Sequence, residues 1–161
     1  MKRIIILCVS WALVLASMGL IFAFSSENSD KSSKTSSQVV EEILKIPLPD
    51  EQVTPQLVKK FDLPMRKIAH FSVFAMLGFF VINAFYMTIN KKPLILAGIS
   101  LVCSILYAIS DEIHQKFVDG RVMSFVDVLI DSIGSACGIL FYLFIIFMIF
   151  KIKNKKQKKR C

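Results

Sequence analysis

The chain has 161 residues, 55% of them hydrophobic and 11% aromatic, with only 20% charged and a mean hydropathy of +0.61. A soluble domain of this size leaves roughly 30% of the unfolded chain's surface in water. That composition excludes a disordered chain and a large soluble enzyme and makes the bilayer the expected solvent. The formal charge is +8, from 20 Lys and Arg against 12 Asp and Glu. Until the charges are placed, it fits nucleic acid, an anionic membrane surface or a topology signal.

Four runs are long and apolar enough for transmembrane helices, which need about 20 such residues. The first is Ile4 to Phe24. It follows Lys2 and Arg3 as a signal peptide would, but exceeds the roughly 7–15 residues of a signal h-region and reads as a retained anchor. Ser25 to Met65 is a polar loop. Its serine-rich first part, Ser25 to Ser37, suggests turns and caps. Val39 to Ile46 reads as a short amphipathic helix ended by Pro47 and Pro49. Val53, Leu57, Val58 and Phe61 suggest a second short helix closed by Pro64. Arg66 to Thr88 is the second span. Pro93 opens the third, Leu94 to Ser110, from the first-turn position where proline is tolerated. Ser124 to Phe150 is the fourth, and 151–161 is a basic tail. The fold class is therefore all-α: an integral membrane bundle of four transmembrane helices, with an external loop of short helices between spans 1 and 2.

Charge placement orients the bundle. Lys2, Arg3, Lys91, Lys92 and the seven basic residues of the tail fall on one side with no acid among them. All 12 acids and the other basic residues fall on the opposite side or in the helix ends facing it. The positive-inside rule then puts both termini in the cytoplasm. The tail reads as a topology and lipid-surface determinant, not as a nucleic-acid site. Cys8, Cys103, Cys137 and Cys161 are widely spaced, which fits neither a disulfide framework nor a cysteine zinc site.

The ionisable residues nearest the membrane gather at the outer side. Arg66, Lys67 and His70 share one side of a helix at i, i+3 and i+4 spacing. At the end of the third span Asp111, His114 and Gln115 share a face, while Glu112 points elsewhere if the helix continues. The turn Val118-Asp119-Gly120-Arg121 follows, and the fourth span opens with Ser124, Asp127 and Asp131. Two carboxylates one turn apart repel and lose hydration, so Asp127 and Asp131 are expected to pair with Arg66, Lys67 or Arg121. Such a network is either structural glue or a ligand or catalytic site. Gly134 and Gly138 form a G-x-x-x-G surface for close helix approach, read as packing within the chain.

These residues resemble the VanZ-like membrane proteins. The resemblance rests on Arg66-Lys67-Ile68-Ala69-His70-Phe71, on Ser110-Asp111-Glu112-Ile113-His114-Gln115 followed by Gly120-Arg121, and on Asp127-Val128-Leu129-Ile130-Asp131-Ser132-Ile133-Gly134. Phe24-Ser25-Ser26-Glu27 is similar to the segment after that family's first span. The resemblance covers about Ser10 to Phe147. It departs at Val73 and Phe74, where many members have an acidic residue before an aromatic, and at Asp131, where many have Asn. It implies a bacterial cell-envelope protein of the kind associated with low-level resistance to teicoplanin-like glycopeptides, or one serving envelope physiology.

The leading expectation is a non-enzymatic protein, without metal or cofactor, that binds an anionic lipid-linked or lipoglycopeptide molecule. Arg66, Lys67, His70, His114 and Arg121 would meet phosphate or carboxylate, with Gln115 beside them, while Asp111, Glu112, Asp127 and Asp131 orient the cations. The alternative is a membrane-embedded hydrolase or transferase acting on a phosphorylated lipid. Its catalytic candidates are His70, His114, Asp111 and Asp127, with Arg121 as phosphate clamp. A metal variant of it would use His70, His114, Asp111 and Glu112. A third reading is a scaffold for an envelope protein partner.

Overall fold

The computed structural model describes residues 1–49 and 52–158. Asp50 and Glu51 of the loop and Lys159 to Cys161 of the tail, which entered the charge count, lie outside the described residues. Among the described residues there are five α-helices and no strand: α1 (Lys2–Ser25), α2 (Ser29–Leu44), α3 (Pro55–Thr88), α4 (Pro93–Gln115) and α5 (Phe125–Lys158). All but α2 are long and apolar enough to cross a membrane, so the chain is a multi-pass membrane protein. Their outward faces carry large apolar side chains such as Leu15, Val102, Leu106, Leu140 and Phe144, all exposed as lipid contact requires.

The polar loop departs from expectation twice. Its serine-rich stretch is the body of α2. Asn28 caps that helix by accepting the Lys31 N–H at 2.9 Å, and Asp30 lies in the first turn, where its charge suits the helix dipole. A hydroxyl that would favour a turn is absorbed within the helix, where Thr35 donates to the Lys31 carbonyl. The second short helix is no separate element either, because α3 starts at Pro55, capped by Thr54, and runs through Pro64 into the second span. Proline inside a helix removes one ladder bond and costs about 3 kcal/mol. Buried Asp62 offsets this by fastening the first turns of α3 to α2, accepting hydrogen bonds from Ser33 (2.7 Å) and Ser36.

Glycine sets the closest approach in the bundle. A Cβ on Gly134 or Gly138 would overlap the carbonyls of Phe71 or Ala75, and one on Gly78 would overlap that of Ser135. The G-x-x-x-G stripe thus serves packing inside the chain, between α3 and α5. Pairs along the seam advance in the same sense, His70 beside Asp131, Phe71 beside Gly134, Ala75 beside Gly138 and Phe79 beside Tyr142, so the two helices are parallel. The core in front of the seam contains Phe74, Leu77, Val81 and Ala84 of α3, Val14 and Ile21 of α1, Ala108 of α4 and Val128 of α5. On α1 the buried stripe Ser10, Val14, Ser17, Ile21 and Ser25 follows helical spacing and ends at the loop side of the bundle, where the polar residues converge.

Candidate functional site

At that end α3, α4 and α5 bring together buried charge. Asp111 and Glu112 of α4 are 3% and 1% exposed, and Asp131 of α5 is 0% exposed. Asp111 is held by a chain of donors. Ser25 donates to its Oδ2 at 2.7 Å and Gln115 Nε2 to the same atom at 2.9 Å. Arg121 Nη1 donates to Gln115 Oε1 at 2.8 Å and Nη2 to the Phe24 carbonyl at 3.2 Å. Arg121 reaches inward because its loop turns at Gly120, whose φ of 74° is open to glycine and strained for other residues. Burial lowers the Arg121 pKa from its ordinary value, and the neighbouring Arg66 cation pushes the same way. Asp111, Glu112 and Glu27 oppose them.

Glu112 faces inward, against expectation, and its Oε2 accepts the Ser124 N–H at 2.8 Å. The last turn of α4 is buried on a broad face because the 116–124 connection folds back over it. Ser124 in turn accepts the Asp127 N–H at 3.3 Å and starts α5. His114 faces α1. It stacks on Phe22 with centroids 4.6 Å apart and shares a 3.1 Å hydrogen bond with Ser26. Asp111, His114 and Gln115 thus share the face of α4 that meets the end of α1, as expected, while Glu112 joins the buried cluster and the metal set built on both histidines is not assembled.

Asp127 pairs with Lys67 at 2.8 Å, one of the pairings expected. Asp131 pairs with no cation. Its Oδ1 lies 3.9 Å from His70 Nδ1, beyond hydrogen-bond reach, and neither Asp131 oxygen nor His70 Nδ1 has a hydrogen-bond partner among the described residues. A charge within a membrane span costs roughly 2.5–3.5 kcal/mol on insertion scales, so this carboxylate stands out. Donor atoms of His70, Asp111 and Asp131 lie within 4.8 Å of one another. Sequence spacing cannot show that trio, since its members come from three helices. Ser25, read as the start of the polar loop, is the contributor that sequence reasoning misses. Its signal is its place at the end of the α1 stripe.

Two cavities meet at Arg66, His70 and Arg121, which line both. The larger, about 230 Å³, runs between α1, α2 and α3 with Ile21, Phe24, Val39, Met65 and Val73 on its walls. The smaller, about 100 Å³, is bounded by Lys67, Glu112, Gln115, Asp127 and Asp131. Among the described residues, Arg66 has no ion pair and no hydrogen-bond partner. The site can thus take an apolar segment on one side and an anionic group at the junction.

Neither a curated protein nor a solved structure matches the chain. A family model described as VanZ/LLP1 matches residues 10–149, a stretch that contains every member of the buried cluster. By that match across four spans and the site between them, the chain belongs to the VanZ/LLP1 family.

Proposed function

We propose that the protein resides in the bacterial cell membrane with both termini in the cytoplasm and binds an anionic lipid-linked or lipoglycopeptide molecule at its outer face. Through that binding it acts in teicoplanin-type glycopeptide resistance or in envelope homeostasis. The observation that carries the reading is unpaired Arg66 at the junction of an apolar and a polar cavity, with Arg121 beside it. A guanidinium offers paired donors to phosphate or carboxylate, and no described residue uses those of Arg66. The apolar cavity is smaller than the roughly 300–1,000 Å³ of a drug-sized pocket. It suits a segment of lipid chain whose remainder lies in the bilayer.

Native mass spectrometry of protein extracted with its lipids tests this. Wild-type protein retains an anionic lipid, and Arg66→Ala and Arg121→Ala lose it. Retention by both variants, together with unchanged glycopeptide sensitivity in a strain where deletion alters it, would sink the proposal. The hydrolase reading draws on a single observation, that His70 lines both cavities. Phosphate release from polyprenyl phosphates by wild-type protein, abolished in His70→Ala, would replace the binding reading with it.

A further inference from the structure

Four carboxylates are buried among the described residues, and three of them are satisfied. Asp62 accepts from Ser33 and Ser36, Asp111 from Ser25 and Gln115, and Glu112 from the Ser124 N–H. Asp131 is the most deeply buried of the four and accepts from no described group. The imidazole nitrogen facing it, His70 Nδ1, is also buried and unpartnered. Of the cations that line the same cavity, Lys67 is committed to Asp127 and Arg121 to Gln115 and Phe24, and Arg66 makes no ion pair with Asp131.

We infer that His70, Asp111 and Asp131 form a binding site for a divalent transition-metal cation of the Mn²⁺ or Zn²⁺ type. Three helices each supply one donor, so the ion would tie α3, α4 and α5 together. Around a tetrahedral ion with bonds of about 2.0–2.2 Å the donors stand roughly 3.3–3.6 Å apart. His70 Nδ1 and Asp131 Oδ1 are already at 3.9 Å, and the widest separation in the trio is within 4.8 Å, so small side-chain rotations close the set. Two carboxylates and a neutral imidazole carry two negative charges, which a divalent ion balances and a lone Lys or Arg would not. One nitrogen with two oxygens suits Mn²⁺ or Zn²⁺ better than Mg²⁺ or Ca²⁺, which prefer all-oxygen shells.

An outer layer of support is also in place. Ser25 and Gln115 both donate to Asp111 Oδ2, and Arg121 fixes Gln115 in turn, which orients the carboxylate and leaves its other oxygen available. Three protein donors leave at least one coordination position open. His70 and Asp131 line the smaller cavity, where water or an anionic oxygen steered by Arg66 and Arg121 would complete the shell. The site stands whether or not the larger cavity takes a lipid.

The test is titration of purified, EDTA-treated protein with Mn²⁺, followed by electron paramagnetic resonance, with Zn²⁺ and Mg²⁺ as competitors. The expected result is one Mn²⁺ per chain, displaced by Zn²⁺ and not by Mg²⁺, with a nitrogen coupling from a single imidazole. His70→Ala removes the coupling, and His70→Ala and Asp131→Asn each weaken binding by about tenfold or more. Glu42→Gln, an exposed acid on α2, leaves binding unchanged. Absence of saturable binding below about 1 mM, bound Mn²⁺ without nitrogen coupling, or full affinity in Asp131→Asn would each overturn the inference. A proton shared between His70 and Asp131 in place of an ion gives the first of those results. If a variant does not fold, the coupling on wild-type protein decides alone. Because no lipid is added, failure here is distinct from failure of the lipid-binding proposal.

Discussion

Ser25 shows how much one hydroxyl can hold. It donates to Asp111, accepts from Gln115 at 3.4 Å, and through Gln115 connects α1 to Arg121. Removing one partner of a buried, charged hydrogen bond leaves the other unsatisfied, so Ser25→Ala is expected to lower stability by about 1–3 kcal/mol. Thermal unfolding in detergent measures it. Lys67→Ala breaks an ion pair whose side chains are 44% and 36% exposed, and screened pairs of that kind contribute at most about 1 kcal/mol. The same melt should barely move. The contrast also marks how far residue spacing could be read. The i, i+3 and i+4 rules placed Arg66, Lys67 and His70 on one side of a helix, and Lys67 does meet Asp127. The same rules could not say that Asp131 faces an imidazole and no cation, because that depends on which neighbouring helix covers each side.

Helices α3 and α5 each run for 34 residues, about 51 Å at 1.5 Å per residue. Both exceed the roughly 30 Å hydrocarbon core. The apolar cores of these elements were legible in the sequence because hydropathy alone defines a span. The continuation of α3 through Pro64 and the helical state of the serine run in α2 were not, since both carry local signals against helix that tertiary bonds to Asp62 override. The glycine stripe was legible, and its role inside the chain follows from the carbonyls it faces. Gly138→Ala would press a methyl group into the Ala75 carbonyl and force α3 and α5 apart. A loss of about 1–3 kcal/mol is expected from such overpacking, read as a lower melting temperature. Gly19→Ala, with open space around its Cβ position, should leave the melt unchanged or raise it.

At the scale of the molecule, the net charge of +8 divides across the four spans into a wholly basic side and a slightly acidic one. The proposed orientation predicts that, with the native cysteines replaced, Lys34→Cys on α2 reacts with an impermeant maleimide in intact cells. Lys91→Cys, between α3 and α4, should react only after permeabilisation; the opposite pattern would invert the topology. Within this frame the two halves of the site are built differently. The polar half stands on α3 and α5, locked backbone against backbone at Gly134 and Gly138, and inherits its dimensions from that contact. The apolar half is closed by α2, which hangs on α3 through Ser33, Ser36 and the Val40 side chain and can give way without disturbing the seam. For the proposed lipid ligand, a pocket with a fixed jaw and a yielding one would discriminate sharply among head groups while tolerating tails of many lengths.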